Sequence, residues 1–463
     1  MEAVIEVEAA PLPAPGNLAS GALSKKTIVR VPLTDTSTAT LIRPLGAFER
    51  MLHRHMEAHP MHFSLVAELA GVVEPARLRA ALAAVQHRHP LLAAHVEDRP
   101  GTRLGFYRPA VVPPIPLTVL HAAAGHTWQQ VAAEELGTRF DPSAAPLVRA
   151  VLLRESPVSA TLVLSFDHTV ADGLSAVFVL EDVLAVLNGH KLAVLPVPPA
   201  QEQLLARLPS TLVPAAATSP AEAAPAAPLD ERLSALVPMR PFDGVAPDLS
   251  TITFDADLTS RLVQRCRAEG TTVHAALVAA TTQVMSKMGQ REVVRVFTPF
   301  NFRPLLGDVR DCADYFSATR TGFLPEQTQN LWELARLTGA QLAQARSEAG
   351  IRGISAAVEQ FIPLDADHAA AAGFMAFGLS SEALISNLGV LDLPETGAVR
   401  PTAIWGPVLL TQFQHESVIG VATFRGELRL VCATHAPVPE LLPLIRATLA
   451  AATAVPGSGA KNL

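Results

Sequence analysis

Cysteine, tyrosine, tryptophan and positive charge are all scarce in this chain of 463 residues. Its three cysteines, Cys266, Cys312 and Cys432, lie far apart and match no metal-binding spacing or disulfide framework. Such cysteine usage favours a reducing compartment, so we expect a cytoplasmic protein. Lys and Arg total 36 against 43 Asp and Glu, giving a net charge of −7 and no basic excess for nucleic acid.

Long uncharged apolar runs are missing as well. No run reaches the length of a membrane span. The start of the chain, Met1 to Glu8, is acidic and lacks the basic-then-apolar order of a signal peptide. Hydrophobic residues nevertheless make up 49% of the chain and charged residues 17%, which is typical of a globular protein with room for two or three cores.

Composition divides the chain into segments. The first forty residues are rich in Ala, Pro, Ser and Thr and show no sustained period, although 27–31 resembles a short strand. Proline is dense over 196–228, where neither helix nor sheet is expected to persist. The predicted segments are a loosely ordered leader (1–40), an N-terminal unit (41–190), a semi-rigid connector (191–238), a C-terminal unit (239–455) and a tail (456–463).

Both units combine helical and strand patterns, which predicts an α+β or mixed α/β pair of domains. Pro75 to Arg88 carries apolar residues on one helical face. A second helix is predicted from Val273 to Met288, between a threonine cap and the terminating Gly289. Strands are predicted at 62–69, 161–166, 250–254, 291–298 and 426–433.

An HxxxDG motif, His168 to Gly173, lies where the strand 161–166 ends and a helical pattern begins. A histidine at such a turn can take a proton from a hydroxyl or amine. Asp172 can pair with a cation and lock the turn, and Gly173 leaves room for a substrate or the returning backbone. The alternative is purely structural, with the histidine satisfied at a strand end and the aspartate capping the helix.

Four stretches, in this order, resemble the superfamily of chloramphenicol acetyltransferase, nonribosomal peptide condensation domains, plant-type hydroxyl acyltransferases and mycobacterial polyketide-associated acyltransferases. They are Leu78–Leu92 with its Arg-His-Pro end, His168–Gly173, Gly270–Leu277 followed by Asn301-Phe302-Arg303-Pro304, and Ser386-Asn387-Leu388-Gly389. The last stretch is most similar to stand-alone polyketide-associated and alcohol acyltransferases.

This resemblance implies two chloramphenicol acetyltransferase-like mixed-sheet subdomains arranged as a V around a central tunnel. His168 would lie midway along the tunnel as general base, with the acyl thioester and the acceptor entering from opposite mouths. Asp172 would pair with Arg303 in a structural role, unless Arg303 is an ordinary surface or interdomain arginine. Asn387 or Ser386 would donate a hydrogen bond to the tetrahedral oxyanion, unless this run is a plain turn.

Two departures narrow the resemblance. Asp167 stands where condensation domains usually have the first of two histidines, which favours a free-standing acyltransferase. The Asp-Phe-Gly-Trp-Gly run of plant-type members is missing, and Ile404–Pro407 is only a faint echo of it. We predict no metal site, because His55 and His59 have no further ligand and Pro60 interrupts their helix.

We therefore expect a thioester-dependent O- or N-acyltransferase of secondary or lipid metabolism that acts alone, as a monomer. The donor would be acyl-CoA or a phosphopantetheinyl acyl carrier protein, the acceptor a small-molecule alcohol or amine, and no cofactor would be permanently bound. One alternative is a stand-alone condensation enzyme using carrier-bound substrates. Another is a catalytically silent binding protein of the same fold.

Overall fold

The computed structural model describes residues 3–6, 28–31, 39–99, 101–122, 125–209, 230–289, 293–307 and 309–454. The fold is α+β with sheets of mixed strand direction, as predicted from the sequence. Most of the predicted leader and nearly all of the predicted tail lie outside the described residues. No helix in the described ranges is long and apolar enough to cross a membrane.

The strands are β1 Ala3–Glu6, β2 Ile28–Val31, β3 Thr40–Pro44, β4 Phe63–Ala70, β5 His95–Glu97, β6 Gly105–Arg108, β7 Leu117–His121, β8 Val148–Ser156, β9 Ser159–Phe166, β10 Asp248–Phe254, β11 Val294–Asn301, β12 Phe316–Phe323, β13 Ala383–Val390, β14 Arg400–Leu409, β15 Ser417–Phe424 and β16 Glu427–Thr434. The α-helices are α1 Ala47–Met56, α2 Pro75–Arg88, α3 Trp128–Leu136, α4 Gly173–Leu187, α5 Gln201–Arg207, α6 Glu231–Ser234, α7 Ala256–Ala268, α8 Val273–Lys287, α9 Arg303–Leu306, α10 Leu331–Arg346, α11 Glu348–Phe361, α12 His368–Leu379 and α13 Leu441–Thr453.

Two larger sheets organise the molecule. A 5-stranded sheet has the order β14-β4-β9-β8-β7, and a 6-stranded sheet has the order β10-β16-β15-β13-β11-β12. The first is antiparallel except for the β7–β8 pair, while the second has parallel pairs β11–β13 and β13–β15. A 3-stranded antiparallel sheet, β3-β6-β5, and the β1–β2 pair complete the described sheets.

Strand β14 belongs to the C-terminal half of the chain but pairs with β4 in the 5-stranded sheet. On this strand, the Trp405 indole N–H donates a 2.7 Å hydrogen bond to Glu68 Oε1. Gly420 on β15 passes so close to β14 that an added Cβ would overlap the carbonyl oxygen of Pro407. The glycine therefore lets the two sheets meet backbone to backbone at this point.

The predicted helices α2 and α8 are confirmed. Helix α2 has the predicted bounds, and Thr272 caps α8 by accepting a hydrogen bond from the Ala275 N–H. Gly289 has φ +67°, the left-handed conformation that commonly ends a helix. These segments were predictable because both the apolar spacing and the end signals are local.

The expectation that no helix forms in the proline-dense connector is wrong, because α5 lies within it. The helix is held by its surroundings: Glu202 Oε1 accepts a 2.7 Å hydrogen bond from Phe48 N–H, at the start of α1. Arg43 Nε donates to the Pro198 carbonyl at 2.6 Å, which fixes the segment before the helix. Residues 210–229 of the connector lie outside the described residues.

Candidate active site

The motif turn joins β9 to α4 and is shaped by Asp167. Its Oδ1 accepts hydrogen bonds from the Thr169 N–H at 3.0 Å and the Thr169 hydroxyl at 2.5 Å. Its own N–H donates to the Leu147 carbonyl at 3.0 Å. The residue that departs from the two-histidine pattern thus holds the turn that presents His168.

His168 is buried, with 8% of its surface exposed, and lines a cavity of about 300 Å³. Its ring packs between two phenylalanines, with centroids 5.0 Å from Phe63 and 5.2 Å from Phe316. Nδ1 lies 3.3 Å from Oδ1 of Asp314, within ion-pair distance but without hydrogen-bond alignment. Since Nδ1 faces this carboxyl group, Nε2 is the ring nitrogen left for a substrate.

Asp314 lies in the loop before β12 and is itself 1% exposed. Burial raises the pKa of Asp314 to about 7, although the adjacent imidazole favours its charged form. Burial lowers the pKa of His168, but the Asp314 carboxyl group more than offsets this and raises it above the usual value. The two groups therefore titrate as a coupled pair that shares one proton near neutrality.

Asp172 uses its two carboxylate oxygens for different purposes. Oδ1 caps α4 by accepting from the Ser175 N–H and hydroxyl, both at 2.8 Å. Oδ2 accepts from Arg303 Nη1 at 2.6 Å and from the Tyr315 N–H at 3.0 Å. Burial alone would raise the pKa of Asp172, but Arg303 and these hydrogen bonds hold it below the usual value. Helix cap and ion pair, weighed as alternatives from the sequence, coexist in one side chain.

Arg303 is 4% exposed and lies away from the protein surface. Besides Asp172, its guanidinium donates from Nη2 to the Ser175 hydroxyl at 3.0 Å, to the Ala313 carbonyl at 3.0 Å and to the Asp311 carbonyl at 3.2 Å. It thus ties the start of α4 to the loop that carries Asp314. Arg303 does not line the 300 Å³ cavity, which fits a structural role.

Ser386 and Asn387, on β13, line the same cavity as His168. Asn387 Oδ1 accepts a 2.8 Å hydrogen bond from the Gly389 N–H, so its oxygen serves the local turn and only its NH₂ group can donate to a ligand. Gly173 also lines the cavity, but a Cβ there would lie 2.8 Å from Cδ2 of Leu388. The space that the glycine leaves is taken by this leucine, whereas a substrate or returning backbone was expected.

Histidines near α1 do not assemble a metal site of recognisable composition. His55 is buried, which lowers its pKa to about 3, and the nearest imidazole is that of His59. Within the described ranges, the group able to gather around an ion is His53, Glu57 and Asp98. Arg54 pairs with both of these carboxylates and already supplies the positive charge.

Sequence comparison finds condensation domains. A condensation-domain family model matches residues 48–207. One of the plipastatin synthase subunits of Bacillus subtilis is 27% identical over 261 residues, which are 52% of this chain and 9% of that protein. Phosphinothricin tripeptide synthetase PhsC of Streptomyces viridochromogenes is 33% identical over 115 residues, 24% of this chain and 11% of that protein. The chain therefore matches only about a tenth of the length of these relatives.

Solved structures extend the likeness to most of the chain. Polyketide synthase associated protein 5 from Mycobacterium tuberculosis superposes with a TM-score of 0.63 at 17% identity, covering 90% of this chain and 99% of that one. The condensation domain of the Monacolin K polyketide synthase MokA gives 0.60 at 12% identity, covering 90% and 97%. This chain has the condensation-domain fold. TRI3 trichothecene 15-O-acetyltransferase from Fusarium sporotrichioides shares that fold, with a TM-score of 0.62 at 12% identity over 89% of this chain and 95% of that one.

The resemblance inferred from sequence motifs is thereby confirmed, and the chain is related in fold to condensation domains and acetyltransferases. The V arrangement around a tunnel and the roles of individual residues stay predictions. Sequence reasoning found His168, Asp172 and Arg303, which the fold brings together, but missed Asp314. The run Asp311-Cys312-Ala313-Asp314 has no periodic or motif signal of its own, so only its contact with His168 singles it out.

Proposed function

We propose that this protein is an acyltransferase in which His168 activates a hydroxyl or amine of a small-molecule acceptor for attack on an acyl thioester. The observation that carries the proposal is the buried imidazole itself. Its Nδ1 is held against Asp314, and the ring borders a cavity that also contains Ser386 and Asn387. A base, a space for the reacting carbonyl and polar donors thus lie together, as acyl transfer requires.

In the proposed reaction, Nε2 of His168 takes the acceptor's proton while the acceptor oxygen or nitrogen bonds to the thioester carbon. The tetrahedral oxyanion would accept a hydrogen bond from Ser386 or Asn387, an interaction usually worth about 3 kcal/mol when preorganised. Collapse of the intermediate breaks the carbon–sulfur bond, and the imidazolium returns its proton to the leaving thiolate. The thioester carries the activation, so acyl-CoA or a phosphopantetheinyl carrier protein acts as a substrate and we propose no permanently bound cofactor.

Asp314 acts in this scheme as a positioning residue. By facing Nδ1 it holds the proton on that nitrogen and keeps Nε2 free to act as base. Its charge also stabilises the imidazolium that forms during attack, which agrees with the raised pKa of His168. The Asp172–Arg303 pair does not touch the cavity through Arg303 and serves to fix the turn and the loop on either side of the imidazole.

A second candidate is a stand-alone condensation enzyme that joins carrier-bound partners. The matched relatives, plipastatin synthase and phosphinothricin tripeptide synthetase, are peptide synthetases by name, which favours this reading. Asp167, in place of a second histidine, favours the acyltransferase. The third reading, a catalytically silent binding protein, requires that His168 have no effect on turnover.

Thiol release from short- to long-chain acyl-CoAs, with and without a mixed alcohol and amine pool, tests the proposal. We expect acceptor-dependent release that His168→Ala lowers by about 100- to 10,000-fold, the usual contribution of a general base. His87→Ala, an exposed histidine on α2, is the matched control and should not change the rate. Release only from carrier-bound donors would support the condensation enzyme. Equal release from wild type and His168→Ala would contradict the mechanism.

A further inference from the structure

A second, larger cavity of about 730 Å³ adjoins the first. Its floor includes alternate residues of β12, namely Phe316, Ala318 and Arg320, which share one face of the strand. Helices α1, α11 and α12 supply the remaining walls, mostly with Met, Phe, Leu, Val and Ala side chains. The volume is that of a site for a small organic ligand.

Polar groups are almost missing from this apolar cavity. Thr319 and Arg320 are the lining residues with polar side chains. The Arg320 guanidinium already donates 3.0 Å hydrogen bonds to the carbonyls of Phe377 and Ser380, near the end of α12. Its charge is therefore engaged with backbone at the rim, and the walls provide no set of donors and acceptors for a sugar, peptide or nucleotide. Hydrocarbon is the chemistry that fits such walls.

Phe316 connects the apolar cavity to the reaction site, because it lines both cavities. One side of its ring lies against His168, at 5.2 Å between centroids, and its edge meets Phe48 at 4.9 Å. A substrate whose reacting atoms lie at His168 would therefore reach the apolar cavity by extending its chain past a single aromatic ring.

The far end of the cavity opens to solvent between two exposed phenylalanines. Phe361 on α11 is 58% exposed and Phe377 on α12 is 66% exposed, and both line the cavity. Apolar surface thus runs without interruption from the buried imidazole to the outside. A chain longer than the cavity could emerge between these rings without meeting a charged barrier.

We propose that the apolar cavity binds an unbranched hydrocarbon chain carried by one of the two substrates. This inference rests on the proposed function and makes the protein an enzyme of medium- or long-chain lipid-like substrates, as opposed to acetyl groups. The chain belongs either to the acyl group of the thioester or to an alcohol acceptor, and the two sources share the same recognition chemistry. Affinity then comes from burial of methylene groups, so it should grow with chain length.

Binding can be measured without turnover, by displacing a pyrene-labelled alkyl probe from the full chain with straight-chain alkanols from butanol to hexadecanol. We expect affinity to rise about fourfold for each added methylene until the cavity is full. His168→Ala should bind the alkanols as wild type does. Loss of transfer with retained binding therefore separates failure of the proposed function from failure of this inference.

Two variants fill the apolar cavity from opposite sides. Ala318→Phe fills it from the floor, and Gly373→Leu fills it from α12, where an added Cβ meets no atom within 4 Å. Each should weaken hexadecanol binding by about tenfold or more while leaving butanol unchanged. Gly353→Leu on α11 is the matched control, because an added Cβ there also meets nothing and the residue does not line the cavity.

Affinity that does not depend on chain length would overturn the inference. Equal hexadecanol binding by wild type, Gly373→Leu and Gly353→Leu would overturn it as well, even if Ala318→Phe failed to fold. Chain-length series in the transfer assay then assign the chain. If rates follow the acyl-CoA series, the cavity holds the donor's acyl group, and if they follow the alcohol series it holds the acceptor.

Discussion

At the scale of single residues, the coupling between His168 and Asp314 governs how the proposed base responds to pH. The carboxyl group raises the pKa of His168, and burial brings that of Asp314 to about 7. The imidazole must be unprotonated at Nε2 to accept a proton. Activity should therefore rise with pH through the apparent pKa of the pair, near or above neutrality.

Replacing Asp314 by asparagine removes the negative charge that favours the imidazolium. The pKa of His168 should fall, so the acid limb of the kcat/KM profile should move to lower pH. The maximal rate should fall as well, because the imidazolium formed during attack loses its partner and the ring loses its orientation. The pH profile of kcat/KM for Asp314→Asn beside wild type measures both effects.

Asp311→Asn is the control for this experiment, since Asp311 lies in the same loop and has no contact with His168. Its acid limb should coincide with that of wild type. A profile for Asp314→Asn that only decreases in height, with an unmoved limb, would mean that Asp314 supports the loop and does not tune the base.

The sequence could predict His168, Asp172 and Arg303 because each belongs to a recognisable motif. Asp314 could not be predicted in this way, since its effect depends on a contact between loops far apart in the chain. Asn387 shows the opposite limit: the sequence left oxyanion donor and turn as alternatives, and its Oδ1 bonds within the turn while the residue still lines the cavity.

At the scale of elements, Arg303 joins α4 to the loop before β12. It satisfies one Asp172 oxygen and the carbonyls of Asp311 and Ala313, all in the interior. Removing the arginine would leave the Asp172 carboxylate buried without its partner cation. Breaking one side of a buried ion pair is much more destabilising than losing a surface pair.

We expect Arg303→Met to lower the free energy of unfolding by about 3–5 kcal/mol, measured by urea denaturation. The matched control is Arg336→Met, which breaks an exposed pair with Glu269 and should cost no more than about 1 kcal/mol. Similar losses in both variants would show that the interior pair contributes no more than a surface one.

Elements with strong local signals, such as α2 and α8, were predictable from apolar spacing and end residues. The short helix α5 was not, because proline density argued against it and its support comes from a contact with Phe48. Strand β14 was equally out of reach. Its sequence gives no indication that it pairs with β4, which lies in the other half of the chain.

At the scale of the whole molecule, the two halves share a hydrophobic core. The largest buried cluster includes Phe63 and Leu164 from the 5-stranded sheet together with Leu384 and Val418 from the 6-stranded one. Side chains of both sheets are therefore desolvated by each other. Division into an N-terminal and a C-terminal unit along the sequence does not describe two independent cores.

Unfolding of the two sheets should consequently be a single cooperative transition. In Trp332→Phe, the remaining tryptophans are Trp128 and Trp405, whose rings lie 5.4 Å apart beside the 5-stranded sheet. The urea midpoint of their fluorescence should coincide with that of far-ultraviolet circular dichroism from the whole chain. Separate midpoints would show that the halves unfold independently.

Strand β14 also bears on how the chain folds as it is synthesised. Until residues 400–409 leave the ribosome, β4 is the open edge of a sheet, and the segment Phe63–Ala70 is largely apolar. At about 5–20 residues per second this edge stays unpaired for many seconds. An uncovered apolar edge readily pairs with strands of other chains. The N-terminal sheet is thus dependent on a chaperone or on rapid completion of the chain, and any nascent chain stalled before β14 is a seed for aggregation.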